Sequence, residues 1–396
     1  MIRKTIFWLH LGTGIAVGLV VAMMSLTGVL LTYEQQMIAW ADARSWPSPP
    51  VQAVRVSVDE IVESATASGV RAQQVTYYRD EAKPVLVGGG RRDPSTYVDA
   101  YTGAVLGQPT NTMRDVMATL TGWHRWFDVD GESRAIAQFV TGWSNFLFLF
   151  LIVSGAYLWL PKVMRWPLFR QRLRFARQYR NARERDFYWH HVFAAWSFVP
   201  LIVVIATGVV ISFPWANSLL TGMASGAAEP SQPPGPPGAS GRPVEIAVAA
   251  IPVKGDPHNL DDLLQQVMAQ SPSWNSIALT VPEQGSRTVS FQIDAGSGRQ
   301  PHKRTTVTLD AYTGDVVGTS VFSDLPGEIR AISWNRYLHT GESFGFIGQT
   351  IAGLVSAASL IMVWTGFALA WRRLIVPLYR RNGRAVRVVR AAQENG

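Results

Sequence analysis

The stretch IFWLHLGTGIAVGLVVAMMSLTGVLLTY, residues 6–33, decides the fold. It contains no Asp, Glu, Lys or Arg, and a helix needs only about 20 apolar residues to cross a bilayer core of about 30 Å. Arg3 and Lys4 precede it, and Ala41-Asp42-Ala43 faintly resembles a cleavage site. The apolar core nevertheless far exceeds the roughly 7–15 residues of a secretory signal, so the segment reads as a retained anchor. Residues 135–160, 188–213 and 344–371 form three more runs of this kind. Trp8, Tyr33, Trp159, Trp189 and Trp371 mark their ends as an interfacial aromatic belt does. The expected fold class is therefore an α-helical membrane protein built on a bundle of four transmembrane helices.

Charge orients the chain. Its formal net charge is +8, yet 18 of its 36 lysines and arginines fall in residues 1–5, 162–186 and 372–396, beside only Glu184, Asp186 and Glu394. Basic residues crowded into the short segments that flank apolar runs are the positive-inside pattern, not a nucleic-acid surface. This places both termini, the basic loop 161–187 and the basic tail 372–396 in the cytoplasm. The long connections 34–134 and 214–343 then face the opposite compartment, each large enough for a small α+β domain. The second connection carries a Pro/Gly/Ser-rich spacer at 226–241. The chain has no cysteine, which excludes disulfides, thiolate metal sites, iron–sulfur clusters and covalently attached haem.

The chain also repeats itself. Val98-Asp-Ala-Tyr-Thr-Gly-Ala-Val-Leu-Gly107 matches Leu309-Asp-Ala-Tyr-Thr-Gly-Asp-Val-Val-Gly318 at an offset of 211, and both read as β-hairpins. The same offset relates Trp123 to Trp334 and Arg125 to Arg336. The expected architecture is two tandem helix–domain–helix repeats. Two helices per copy keep the copies parallel, about an axis along the membrane normal.

The seven histidines carry the functional argument. His10 lies one turn inside the cytoplasmic end of the first span, and His190 and His191 lie at the same end of the third. His124 and His339 lie just before the second and fourth spans, on the other side. His258 and His302 fall in the second connection, where surface or turn positions are expected. Ionisable side chains at membrane depth are functional candidates, and paired imidazoles from different helices suit noncovalent haem b. His10 precedes Gly28 by 18 residues and His190 precedes Gly208 by the same 18, so His190 is the internal counterpart of His10. His191 points about 100° away and remains the alternative ligand. The offset of 211 sets His124 opposite Asn335 and His339 opposite Asp128, so the second pair are not repeat equivalents. Thr27-Gly28, Ser154-Gly155, Thr207-Gly208 and Thr365-Gly366 put a small residue and a glycine in every span. These glycines are expected to clear space for the face of a porphyrin, or to serve close helix packing. The candidate cofactor is two haems b per chain, with His10, His190, His124 and His339 as axial ligands to the iron.

In their order and spacing, Trp8-Leu-His10 with Leu-Thr-Gly28, Ser-Gly155-Ala-Tyr-Leu-Trp159-Leu-Pro161, Trp189-His190-His191-Val192 and Leu338-His339-Thr-Gly341 resemble the PepSY-associated transmembrane family. The likeness covers essentially the whole chain. It departs at Ala194, where the family commonly has Gly. The resemblance implies a bacterial inner-membrane protein, two PepSY-like periplasmic domains, and kinship with haem-containing ferrisiderophore reductases involved in iron uptake. Such a reductase takes electrons from a cytoplasmic or quinone donor and delivers them to a ferric siderophore in the periplasm. Ferrous iron is held far more weakly than ferric iron by the chelate's hard oxygen donors, so one-electron reduction releases the metal. No Gly-rich nucleotide motif opens a helix after a strand, so no built-in NAD or flavin domain is expected. The docking place expected for the chelate is near Trp123-His-Arg-Trp126.

Three other readings are open. A non-haem binding or regulatory membrane protein would use the PepSY-like domains alone. A transporter would also show tandem repeats, but no charged residue sits mid-span. A quinone-linked cytochrome b would pass its electrons to another acceptor.

Overall fold

Apolar runs of this length form helices because every backbone N–H and C=O is then satisfied within the segment. The computed structural model describes residues 1–50, 54–88, 95–108, 111–161, 165–225, 256–283 and 285–379. The spacer expected at 226–241 lies outside the described residues, as does the tail beyond 379. The first half comprises α1 (Ile2–Leu31), α2 (Glu34–Ala43), α3 (Val58–Ala67), β1 (Gln74–Tyr78), β2 (Val85–Gly88), β3 (Ser95–Val98), β4 (Val105–Gly107), α4 (Thr112–Trp126) and α5 (Ser133–Trp159). The second comprises α6 (Trp166–Arg172), α7 (Ala182–Ser212), α8 (Pro214–Ser225), α9 (Leu260–Gln270), β5 (Ser276–Thr280), β6 (Thr288–Asp294), β7 (Arg304–Asp310), β8 (Val316–Val321), α10 (Gly327–His339) and α11 (Gly345–Leu374).

Helices α1, α5, α7 and α11 are long and apolar enough to cross a membrane, with mean hydropathy of 1.8 to 2.3 over their best windows. They start within a few residues of the expected boundaries, except α7. There Asn181 accepts a hydrogen bond from Glu184 N at 2.9 Å and starts the helix six residues earlier than the apolar run suggests. The four close a ring in which α1 and α7 each pack against both α5 and α11. A β-carbon on Gly18 would lie 2.7 Å from the Phe367 ring, and one on Gly353 would lie 2.7 Å from Thr32 Oγ1, so α1 and α11 approach as only glycine permits. The start of α7 is tied to the end of α11 through buried Asp186, which pairs with Arg185 at 2.9 Å and Arg372 at 2.5 Å.

The two connections do not build two separate sheets. Among the described residues their strands form one antiparallel sheet of eight, ordered β4-β3-β2-β1-β5-β6-β7-β8. The seam is the β1–β5 pair, with Val75 opposite Leu279. Left apart, β1 and β5 would each present a row of unpaired backbone groups, and each half-sheet would be a small core without disulfides. Joined, they share a core in which Val58, Ile61 and Ala65 of α3 lie beside Leu263, Leu264 and Val267 of α9. The Asp261 carboxylate accepts from Val58 N at 3.1 Å and links the two helices directly. Each Asp-Ala-Tyr-Thr-Gly segment makes the turn between two paired strands, β3–β4 and β7–β8. Asp99 accepts from Tyr101 N and Asp310 from Tyr312 N, and Gly103 and Gly314 take left-handed φ of 69° and 72°.

A single shared core makes a prediction. Phe291 is fully buried in it, and Phe291→Ala should cost about 3–5 kcal/mol. Hydrogen–deuterium exchange of the variant should rise in β1 and β2 as well as in β5 to β7. Loosening confined to the second connection would show two independent units.

Candidate functional site

Serine and threonine inside a helix satisfy their hydroxyl hydrogen on a carbonyl three or four residues back. Thr27 donates to Met23 and Met24 O, Thr207 to Val203 and Val204 O, Thr365 to Ile361 and Met362 O, and Ser154 to Leu151 O. Each hydroxyl oxygen is then left as an acceptor, and each receives the Nδ1–H of a histidine on another helix. His10 on α1 meets Ser154 on α5 at 2.9 Å, and His124 on α4 meets Thr27 on α1 at 2.9 Å. His190 on α7 meets Thr365 on α11 at 3.1 Å, and His339 on α10 meets Thr207 on α7 at 3.3 Å. Three of the rings also donate to the carbonyl three residues before the hydroxyl: His190 to Met362 O at 3.0 Å, His339 to Val204 O at 2.8 Å, and His124 to Met24 O. A carbonyl only accepts, so in these three rings the proton sits on Nδ1 and Nε2 carries the lone pair. Fixing the remote nitrogen in this way is how proteins orient an imidazole for a metal.

The glycine after each hydroxyl makes room for the ring. A β-carbon on Gly155 would lie 3.2 Å from His10 Cε1, on Gly28 3.7 Å from His124 Cε1, on Gly208 3.1 Å from His339 Cε1, and on Gly366 3.5 Å from His190 Cε1. The nearest neighbour from another helix is thus an imidazole, apart from Ser356 Oγ at 3.4 Å from Gly28 and Asn145 Nδ2 at 2.9 Å from Gly208. The glycines were expected to clear space for a porphyrin face or to serve close helix packing; each of the four lies against a histidine ring.

His124 and His339 converge at the sheet end of the bundle, with ring centroids 6.2 Å apart. They occupy matching places against Thr27-Gly28 and Thr207-Gly208, although the offset of 211 sets His124 opposite Asn335. The mismatch is four residues, about one helical turn, so the ring returns to the same helix face one turn along. Burial first, then the neighbouring His339 and Arg125, push His124 down to about 4 against the Met24 carbonyl's opposing pull. His339 is lowered by burial first, with Arg336 and Arg125 adding to it and the bond to Val204 opposing. Both rings are therefore neutral near pH 7, as a metal-binding imidazole must be. Two neutral imidazoles this close could hold one metal ion between them.

His10, His190 and His191 line one cavity of about 1620 Å³ at the opposite end of the bundle. His10 and His190 enter it from α1 and α7, which stand diagonally across the ring of helices. His191 is held differently. Its Nδ1 donates to Phe187 O of its own helix at 2.8 Å, and its ring lies 4.0 Å from the Phe187 ring. His190 repeats the seat of the other three imidazoles and His191 does not. The walls are apolar, from Phe7, Leu11, Phe198 and Leu201, while Arg3, Lys4, Arg172 and Arg373 line the end nearest the basic segments.

The profile of the PepSY-associated TM region matches residues 7–373. The chain belongs to that family. No curated protein sequence matches it. All four imidazole seats of this PepSY-associated transmembrane protein fall within the matched residues. Ala194 lines the cavity together with His190 and His191. His302 stacks on Trp334 with centroids 5.3 Å apart and planes 4° apart, and His258 N donates to Ala311 O; neither joins an imidazole pair.

The hydroxyls were the residues missed at the level of sequence. A Ser or Thr before all four glycines was legible, but its partner was not, because each bond crosses between helices. Contact distances rank the glycine seats. Gly208→Ala, meeting Asn145 at 2.9 Å and His339 at 3.1 Å, should destabilise by about 1–3 kcal/mol. Gly366→Ala, with 3.5 Å of clearance, should be nearly neutral. Thermal unfolding of the detergent-solubilised proteins checks the order, and equal losses would contradict it.

Proposed function

We propose that this protein is an inner-membrane di-haem b reductase that carries electrons across the membrane to a ferric siderophore in the periplasm. The observation that supports this best is the imidazole seat built four times: Nδ1 bonded to a Ser or Thr hydroxyl and Cε1 over a glycine. His10 with His190 would hold one haem, and His124 with His339 the other. Haem, when bound, supplies a reversible one-electron couple at each place.

The chain's own residues do the rest. Ser154, Thr27, Thr365 and Thr207 fix ring orientation and tautomer, so the metal-binding nitrogen is preorganised. His10 and Thr27 stand 17 residues apart on α1, as His190 and Thr207 do on α7, so each helix joins two levels about 25 Å apart. Apolar side chains line the cavity around the lower centre, the one that His10 and His190 would hold. At the sheet end Trp123 is exposed beside His124 and Arg125, the place proposed for chelate docking. Reduction there needs no protein acid or base: the ferric ion of the chelate gains one electron, the donor loses one, and the weaker ferrous complex releases its metal. A cytoplasmic or quinone donor feeds the cavity end. The positive-inside charge pattern supports this orientation.

An absorption spectrum of the detergent-purified protein, oxidised and then reduced with dithionite, tests the reading together with pyridine quantification of haem. Two b-type haems per chain are expected, falling to one in His10→Ala and to one in His339→Ala. Colourless protein from cells with ample haem would overturn the reading and leave a PepSY-domain binding protein.

A further inference from the structure

The end of the histidine-lined cavity nearest the basic segments is rich in donors. Trp159, the last residue of α5, lines the cavity, and its indole Nε1 is buried with no hydrogen-bond partner among the described residues. A buried N–H left without an acceptor is costly; the ring packs edge-on to Phe169 with centroids 5.1 Å apart, and its place in the cavity lining points to a missing ligand. Two guanidiniums bind the backbone on either side of this residue and at the residue itself. Arg3 donates to Leu158 O at 2.6 Å and Leu160 O at 3.0 Å, and Arg172 donates to Trp159 O. Neither forms an ion pair with a carboxylate among the described residues. Burial first, then the nearby positive charge of Arg3, lowers the Arg172 guanidinium below its ordinary value. Two cations thus stand close together without a counter-charge. Among the described lining residues Glu184 is the one acid, and its carboxylate already accepts from Arg180 N.

We propose that Trp159, Arg3 and Arg172 form an anion-binding site at the mouth of this cavity, taking the carboxylate or phosphate of an amphiphile whose apolar body fills it. Charge-assisted bonds from a guanidinium fork and an indole N–H suit either oxyanion. The same chemistry has two sources: the propionate side chains of haem, which rests on the reading above, or the headgroup of an anionic phospholipid, which does not.

Trp159→Phe and Arg172→Gln in the full-length protein test the site. Trp159→Phe removes an N–H that bonds nothing among the described residues, so no hydrogen bond seen in the fold is lost. Both variants should release haem from the lower centre to excess apomyoglobin about tenfold faster than wild type, for one charge-assisted bond lost. Haem dimethyl ester should leave the wild-type protein as fast as haem leaves the variants, which assigns the anion to the propionates. Should the ester stay bound as tightly as haem while both variants lose co-purified anionic phospholipid by mass spectrometry, the phosphate is the ligand. Should wild type carry no haem, the reductase reading falls and the phospholipid measurement alone decides the site. Unchanged haem release and lipid content in both variants overturns the proposal. Loss in Trp159→Phe alone assigns the effect to packing and overturns it too.

Discussion

A hydroxyl whose hydrogen is committed to its own helix can still accept, and an imidazole with two nitrogens can satisfy one and offer the other. In an apolar bundle both halves of that statement matter, because an unpaired polar group there is costly. Ser154, Thr27, Thr365 and Thr207 sit where their own backbone meets the donor half of the requirement, and the histidine Nδ1–H meets the acceptor half. Every one of these bonds crosses between elements. The pairs α1–α5, α4–α1, α7–α11 and α10–α7 are held by the same contact that aims the rings, so packing and site share one interaction.

This arrangement gives α1 and α7 a double duty. Each presents a histidine at one end and a Thr-Gly seat at the other, and each packs against both remaining long helices. The flanking helices α4 and α10 complete the sheet end by laying His124 and His339 against those seats. Above them, the joined sheet links the two connections through β1 and β5. The elements carrying the upper imidazoles therefore lead out of one continuous sheet, not out of two bodies free to move apart.

Much of this was legible in the residues. Four spans follow from apolar length, because nothing else satisfies so many backbone groups without water. The turn at Asp99-Ala-Tyr-Thr-Gly103 follows from local chemistry, an Asp carboxylate over two N–H groups and a glycine at positive φ. What stayed hidden depends on contacts distant in sequence. The seam between Val75 and Leu279 links residues about 200 positions apart, and neither strand's pattern names its partner. The match between His124 and His339 was masked because their helices differ by one turn in register, which spacing alone reads as a mismatch. The orphaned Trp159 indole looked like one more aromatic at a membrane interface, since its lack of an acceptor appears only in three dimensions.

The two ends differ in the charges placed around their imidazoles. At the sheet end, the positive charges of Arg125 and Arg336 lie close enough to bear on His124 and His339. At the other end, Arg3 and Arg172 bind the terminal carbonyls of α5 at the cavity mouth. A positive charge near a redox centre favours the state with the added electron, and solvent access and charge are among the main levers on its potential. On the proposed reading, an anion bound by Arg3, Arg172 and Trp159 would cancel part of the positive field at the lower centre and leave that of the upper centre intact. The upper centre would then hold the electron more firmly than the lower one. A bundle whose halves offer equivalent imidazole seats would acquire a direction, from the cavity toward the sheet, through the charges placed around those seats.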